Sequence, residues 1–297
     1  MGVRNKREVR NFYAFAGISI IGFAAFYLYP IVRTVYLSFT NTSTMDIFHD
    51  MIGWENFNRA IFLDETYHVA LRNTFRYAIA VAVLKLLLAL FAALLINTKL
   101  PGIGFFRSIF FLPFVIPTFA VAYVFRFFFH PANGLVNEVG TQIGLTPSGW
   151  YADSKTALLT LVLSSLWGFG VPMLIFLAAL QQVPVNLYEV AELDGASSWQ
   201  KFKAITLPAI SAVLFFNVIL ATVDSLKSFD LAFLMGQGSG YPANSTLLYS
   251  VYLFNQAFKN PWQIGYASAL ALIFFVILLI LTGVNFLLGR LYVKTEN

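Results

Sequence analysis

The sequence contains no cysteine and few charged residues, and both absences narrow what the protein can be. Without cysteine there can be no disulfide, no zinc–thiolate site and no thiol nucleophile. Only 11% of the 297 residues are charged and 59% are hydrophobic, with a mean hydropathy of +0.73. Soluble domains carry about 25% charged residues, so an ordinary soluble domain is excluded. Several apolar runs exceed the roughly 20 residues that cross a bilayer.

Motifs that would indicate an enzyme are also missing. There is no GxxxxGK[ST] phosphate-binding loop, so we expect that this chain does not hydrolyse nucleotide itself. The three histidines, His49, His68 and His130, are scattered over predicted outer segments without the spacing of metal ligands. We therefore expect no catalytic residue, no metal site and no cofactor in this chain.

The apolar runs predict an all-α membrane protein with about six transmembrane helices. The predicted spans cover approximately residues 11–32, 74–96, 108–129, 156–180, 208–230 and 264–289. Two prolines should bend the third span, and the stretch 167–172 should weaken the fourth. Residues 231–262 are too rich in Gly, Asn and Ser to span, and we interpret them as an outer loop with a partly embedded helix.

The distribution of basic residues predicts the orientation. The segments assigned to the inside hold Arg4, Lys6, Arg7, Arg10, Lys99, Arg107, Lys201, Lys203, Arg290 and Lys294. The segments assigned to the outside hold chiefly Arg59, Lys155 and Lys259. Both termini should therefore be cytoplasmic, with tails of residues 1–10 and 291–297 flanking a six-span domain of residues 11–290.

The most polar continuous stretch lies between the fourth and fifth spans, at residues 186–206, and is called the polar elbow here. It contains two capping boxes, Asn186 with Glu189 and Ser197 with Gln200. These predict two short helices, the first beginning at Leu187, and Gly195 between them predicts a left-handed turn. Pro208 should lie in the first turn of the fifth span. Apolar residues are interleaved with charged ones, so the polar elbow either docks on another protein or lies on lipid headgroups.

The polar elbow resembles the EAA loop of binding-protein-dependent importer permeases. The matching residues are Glu189-Val190-Ala191-x-x-Asp194-Gly195-Ala196, then Phe202, Ile205 and Leu207-Pro208. Within that family the chain is most similar to the sugar permeases of the maltose and multiple-sugar systems. The similarity extends over nearly the whole chain and includes residues 96–131, 134–137, 173–182 and 265–270. The chain departs from the family at Val190, where alanine is usual, at Ala212, where proline is common, and in the irregular glycine loop 236–242.

This resemblance implies a type I ABC importer permease (MetI-like) fold whose loop is a coupling helix in a cleft of a cytoplasmic ATPase. Glu189 and Asp194 would make charge contacts with the ATPase, Ala191 would permit close approach, and Gly195 would set the turn. The implied partners are a second permease subunit, two copies of an ABC ATPase subunit with ATP and Mg²⁺, and an extracytoplasmic substrate-binding protein. The implied setting is the lipid of a bacterial plasma (inner) membrane, with no nucleic acid.

Polar and ionisable residues within the spans are candidates for a substrate pathway, because a charge buried in lipid costs at least a few kcal/mol. We select Lys85, Trp167, Asn217, Asp224, Ser225 and Lys227. Asp224 and Lys227 are three residues apart, so they form a structural ion pair, snorkel to the membrane interface, or line the pathway. Lys85 either faces a water-filled cavity or bonds carbonyls of a kinked neighbour. Other residue types suited to sugars are Phe169, Thr222, Ser228, Tyr249 and Asn255.

The sequence thus predicts a permease subunit that forms half of a translocation pathway for a sugar or oligosaccharide and does not itself act as an enzyme. Basic residues at 72, 76, 85, 126 and 227 leave room for an anionic substrate, such as a uronate oligosaccharide or a glycerol phosphate. Two other classes remain. A multipass membrane enzyme would need clustered His, Asp or Glu at the membrane surface, and a stand-alone channel gives no reason for a docking helix pair.

Overall fold

The computed structural model describes residues 6–43, 50–98, 102–259 and 263–292. Within these ranges the chain is helical, with a single isolated bridge pair between Thr40 and Met51 and no β-strand. The α-helices are α1 (Lys6–Phe23), α2 (Tyr29–Ser38), α3 (Glu55–Asn58), α4 (Glu65–Ile96), α5 (Ile103–Val115), α6 (Thr118–Phe128), α7 (Leu135–Gln142), α8 (Ala157–Ser165), α9 (Gly170–Leu180), α10 (Val185–Leu193), α11 (Ser198–Lys201), α12 (Leu207–Ala209), α13 (Ser211–Leu226), α14 (Asp230–Met235), α15 (Tyr249–Phe258) and α16 (Ile264–Tyr292). Short π-helical turns are Ala24–Leu28, Arg59–Leu63 and Phe202–Thr206, and 3₁₀ turns are Trp150–Ala152 and Leu166–Gly168.

Four stretches of helix are long and apolar enough to cross a membrane: Phe15–Ser38, Glu65–Ile96, Ser211–Met235 and Ile264–Gly289. Two further helices are broken. Gly104–Val115 and Thr118–Phe128 meet at 100°, and Ala157–Gly168 and Gly170–Leu180 meet at 46°. If each broken helix is counted as one span, the described residues supply six, as the hydropathy of the sequence predicts.

The chain divides into two compact units, residues up to 64 with 253–276, and residues 65–252 with 277 onwards. Polar side chains hold the loops of the first unit. The amide of Asn56 donates to the carbonyls of Ser38 and Thr40, both at 2.9 Å. Arg59 donates to Gln263 Oε1 at 2.7 Å. In contrast, none of the most apolar part of the stretch Phe15–Ser38 is buried by the rest of the described structure. Lipid or another protein must therefore surround it.

The hydrophobic core of the second unit lies where α4, α9 and α13 pack. Ala89 and Ala93 on α4 have no exposed surface, and their small side chains allow the backbones to approach closely. Phe176 on α9 is equally buried against them. At Gly170 a Cβ would overlap the carbonyl of Phe110, so α5 and α9 also meet backbone to backbone. This packing fixes the walls of the cavity described below.

The helix ends differ from the sequence prediction at three places. α4 begins at Glu65 rather than near residue 74, because Tyr67, Ala70 and Asn73 in its first turns are buried. Asn73 also donates to the carbonyl of Asn244 at 2.8 Å. α13 ends at Leu226 rather than near residue 230, and the chain restarts as α14 at Asp230. α10 begins at Val185 rather than residue 187, because Pro184 occupies the N-cap and no side chain caps the helix.

Candidate substrate cavity and polar elbow

A cavity of about 560 Å³ lies within the second unit, between α4, α13 and the two broken helices. α4 contributes Tyr77, Val81 and Lys85 to its lining, at intervals of four residues that place them on one helical face. α13 contributes a second stripe that includes Asn217, Ala221, Asp224 and Ser225. The remaining wall comes from the breaks α5–α6 and α8–α9 and from residues 227–231.

Both helix breaks open onto this cavity. α5 stops where Ile116 and Pro117 take up extended backbone angles, and proline lacks the N–H that would continue the helical ladder. Pro113, in contrast, stays inside α5 without ending it. α8 tightens into the 3₁₀ turn Leu166–Gly168 before α9 begins. Broken helices within a membrane are tolerated where they line a water-filled cavity, and transporters use such breaks to present backbone polar groups to a substrate.

The six residues selected from the sequence all line this cavity: Lys85, Trp167, Asn217, Asp224, Ser225 and Lys227. The Lys85 ammonium lies against the α8–α9 break, 3.4 Å from where a Cβ on Gly168 would be. Of the two alternatives for Lys85, the structure shows the cavity-facing one, since none of the hydrogen bonds found within the described ranges joins its ammonium to a carbonyl. Whether these residues contact a substrate remains a prediction.

The charges around the cavity are balanced. Its lining contains two lysines, Lys85 and Lys227, and two aspartates, Asp224 and Asp230. Within the described ranges Asp224 and Lys227 form no ion pair with each other, because α13 ends between them and both side chains are exposed. The structural ion pair that their spacing allowed is therefore absent, and both charges remain available at the cavity.

Several hydroxyl groups in the cavity wall are bonded to one another or to the backbone. Tyr77 shares a 2.7 Å hydrogen bond with Ser165 and a 3.0 Å hydrogen bond with Ser228. Ser225 donates to the carbonyl of Ala221 at 2.5 Å. Sequence reasoning missed Tyr77 and Ser165, although Tyr77 lies on the same helical face as Lys85 and could have been found from that spacing.

Asn217 is the exception among these polar groups. Its side chain is 1% exposed, and neither its amide nitrogen nor its amide oxygen has a hydrogen-bond partner in the part of the chain that the structure describes. Of the other sugar-suited residues, only Ser228 lines the cavity. The ring of Phe169 packs on Phe110, and the Thr222 hydroxyl donates to the carbonyl of Val218. Tyr249 and Asn255 are likewise absent from the lining.

The turn and the second helix of the polar elbow form as the sequence predicts, whereas the predicted capping box of Asn186 with Glu189 is wrong, since Pro184 is the N-cap of α10. Gly195 has φ +73°, in the left-handed region. Its N–H donates to the Glu192 carbonyl at 3.0 Å, and the N–H of Ala196 donates to the Ala191 carbonyl at 2.9 Å. These two bonds form a Schellman motif, which satisfies carbonyls at the end of α10. Ser197 then caps α11 in a complete capping box with Gln200, as predicted.

Two side-chain bonds join the halves of the polar elbow. Lys201 Nζ lies 2.6 Å from Glu192 Oε1, in an ion pair between α11 and α10. The hydroxyl of Tyr188 shares a 2.8 Å hydrogen bond with that of Thr206, which ends the π-helical turn after α11. The polar elbow is therefore linked across its turn at two separate points.

The polar elbow exposes large apolar side chains beside its charges. Leu193 is 88% exposed and Trp199 is 70% exposed. Glu189, Asp194 and Gly195, selected from the sequence as contacts, are also exposed, whereas Ala191 is half-buried and contributes its carbonyl to the turn. Exposed aromatic and aliphatic residues rimmed by charge are typical of a surface that binds another molecule.

Over residues 85–294 the chain matches the family described as "Binding-protein-dependent transport system inner membrane component". The chain belongs to this family. The matched range includes the polar elbow and all six cavity candidates, so the permease resemblance predicted from the EAA loop is confirmed.

Individual relatives agree with this assignment. The permease is 38% identical over 289 residues to the probable ABC transporter permease protein YesP of Bacillus subtilis (strain 168), covering 96% of this chain and 92% of that protein. It is 32% identical to the lactose transport system permease protein LacF of Rhizobium radiobacter, covering 94% of each. Its fold matches a chain in the crystal structure of a bacterial alginate ABC transporter bound to an alginate pentasaccharide-bound periplasmic protein. The TM-score is 0.82 at 23% identity, covering 98% of both chains. The predicted type I importer permease fold is thus confirmed.

Among the described residues of the permease, no group of three or more His, Asp or Glu side chains could hold a metal ion. His49 and the basic residues Arg4, Lys99 and Lys294 lie outside the described residues. The side chains of Lys6, Arg7, Arg10 and Arg290 are likewise not described.

Proposed function

We propose that this permease forms half of the translocation pathway of an ATP-driven importer for a sugar or oligosaccharide. The observation that supports this most directly is the single cavity that gathers all six candidate residues between two broken helices. Its lining combines aromatic faces, such as Trp167, with hydroxyl, amide and charged groups, which is the combination that sugar recognition requires. Its relative LacF is named for lactose transport, which favours a saccharide.

We also propose that the polar elbow couples this cavity to a cytoplasmic ATPase. Its first helix exposes Glu189, Glu192 and Asp194 next to Leu193. The cytoplasmic leaflet carries negative surface potential, and Glu189 and Asp194 form no ion pair among the described residues, so lipid headgroups would repel these two acids. A cleft on a protein can accept both the acids and the apolar side chains. This charge argument favours docking over the lipid-surface alternative.

In the proposed complex, Glu189 and Asp194 make charge contacts with the ATPase, Ala191 allows close approach and Gly195 sets the turn. Two ATPase copies bind ATP and Mg²⁺, a second permease completes the pathway, and an extracytoplasmic binding protein delivers the substrate. The permease lies in a bacterial inner membrane with both termini in the cytoplasm. Movement of the ATPases rocks the helices around the cavity, which then opens alternately to each side.

The substrate could be a neutral saccharide or an anionic one. The balanced set of two lysines and two aspartates in the lining favours a neutral saccharide. An anionic substrate, such as a uronate oligosaccharide or a glycerol phosphate, would instead pair with Lys85 and Lys227, which form no ion pair with Asp224 in the described structure. Replacement of each lysine by methionine, with uptake of a neutral and an acidic sugar compared, separates the two.

The test of this function is purification of the permease from its native membrane, followed by reconstitution. We expect an ATPase subunit to co-purify and the proteoliposomes to accumulate sugar only with ATP. Glu189→Lys combined with Asp194→Lys should leave membrane insertion intact but separate ATP hydrolysis from uptake. Normal uptake by this variant would contradict the docking role. A permease that purifies without any ATPase would favour a channel or a membrane enzyme instead.

A further inference from the structure

Asn217 carries a buried amide for which the described residues provide no hydrogen-bond partner. Its side chain is 1% exposed, and both its Nδ2 and its Oδ1 lack hydrogen bonds. Buried polar groups in native proteins are nearly always bonded, so an exception requires an explanation. The residue lies within α13, one of the apolar stretches long enough to span the membrane, where an unpaired amide is especially unfavourable.

The position of Asn217 connects this amide to the cavity. Asn217, Ala221 and Ser225 are four residues apart and all line it, so they form one stripe on α13. At 1.5 Å per residue, Asn217 lies about 10 Å along the helix from Asp224, on the side of the polar elbow. The lining also contains the apolar residues Leu220 and Ile175. The other hydroxyls mentioned above, on Tyr77 and Ser225, are already bonded within the chain.

The chemistry of the vacant group restricts what it can bind. An amide offers donors on nitrogen and an acceptor on oxygen. A carboxylate or phosphate could accept from the nitrogen only, and a cation could use the oxygen only. A hydroxyl both donates and accepts, so adjacent hydroxyls on a sugar ring can satisfy both ends of the amide at once.

We propose that Asn217 is a specificity-determining residue that hydrogen-bonds adjacent hydroxyls of a saccharide deep in the cavity, beyond the charged residues around Asp224. This inference rests on the proposed transport function. It applies equally to a neutral sugar and to a uronate, because both carry ring hydroxyls. Under this proposal, the Asn217 side chain contacts substrate and does not stabilise the fold of α13.

The experiment compares variants in the complete importer, with both permeases, the ATPases and the binding protein in proteoliposomes. The probes are lactose, maltotriose and digalacturonate, each supplied on saturating binding protein. Asn217→Leu removes both polar atoms at nearly constant volume, and Asn217→Gln keeps the amide. The matched control is Phe216→Leu, because Phe216 is the preceding residue, is 52% exposed and does not line the cavity.

For a sugar that the wild-type importer carries, Asn217→Leu should lower the uptake rate about tenfold. This is the effect on binding expected from losing the net free energy of roughly one hydrogen bond. ATP hydrolysis stimulated by the binding protein should persist. The melting temperature of the sugar-free complex should stay level or rise, because an unsatisfied buried group is replaced by an apolar one. Asn217→Gln should recover part of the uptake, and Phe216→Leu should match the wild type.

Two results would overturn the inference while leaving the transport function standing. One is unchanged uptake by Asn217→Leu. The other is a lower melting temperature with reduced complex assembly, which would show that the amide bonds a protein partner such as the second permease. If the wild-type importer accumulates none of the three probes with ATP, the proposed function fails, and the inference fails with it.

Discussion

Substitution at Gly195 tests whether the shape of the polar elbow sets its affinity for an ATPase. The residue has φ +73°, and a Cβ there would meet no atom within 4 Å, so any effect of alanine must come from the backbone. The left-handed conformation costs a non-glycine residue roughly 1–2 kcal/mol. That corresponds to a factor of about 5–30 in the fraction of elbows that keep the native turn.

The expected effects increase from asparagine to alanine to proline. Asparagine tolerates the left-handed region, so Gly195→Asn should change little. Gly195→Ala should weaken ATPase association by up to about 5- to 30-fold, since apparent affinity falls with the fraction of competent conformer. Proline fixes φ near −65° and lacks the N–H that donates to Glu192, so Gly195→Pro should abolish association.

Gly144 provides a matched control on a predicted outer loop. It has φ +83°, a Cβ there would also meet nothing within 4 Å, and its turn is closed by the same pair of bonds, from Gly144 to Thr141 and from Leu145 to Gly140. The assay is titration of nanodisc-embedded permease with purified ATPase, together with the ratio of sugar imported to ATP hydrolysed. Equal losses for the Gly144 and Gly195 variants, or normal binding by Gly195→Pro, would refute the reasoning.

Further substitutions test the ion pair between Glu192 and Lys201 in the polar elbow and the packing of α5 on α9. Glu192→Lys should lower the ratio of sugar imported to ATP hydrolysed, because it removes a largely exposed ion pair, which is worth about 0.2–1 kcal/mol. The double exchange Glu192→Lys with Lys201→Glu should restore this ratio. Gly170→Ala should lower the melting temperature, since its Cβ overlaps the Phe110 carbonyl and overpacking costs about 1–3 kcal/mol. Gly168→Ala, whose Cβ would meet only the flexible end of a lysine, should leave the melting temperature unchanged.

Local chemistry made parts of the polar elbow predictable from sequence. Ser197, Gln200 and Gly195 act through bonds to residues at most three positions away, so their roles could be inferred without knowing the fold. Asn186 did not cap α10 because the preceding Pro184 already fixes extended backbone at the N-cap. Family resemblance supplied what local chemistry could not, namely the partner expected at this surface.

Contacts between distant segments explain most of what the sequence did not predict. The first turns of α4 contain polar residues that look like a loop, but Asn73 donates a hydrogen bond to the carbonyl of Asn244, far along the chain. The lining of the cavity could be guessed from intramembrane polar residues on α13, yet the contribution of Tyr77 depends on Ser165 and Ser228, which only the fold brings to it.

The hydroxyl of Tyr77 bonds at once to α8 and to the segment that follows α13. It therefore links α4 to α8 and to the segment after α13. These three segments cannot separate unless at least one of the two hydrogen bonds breaks. During a transport cycle, we expect these three segments to move as one rigid body. The movement that admits substrate should occur at helix contacts that no such hydrogen bonds join.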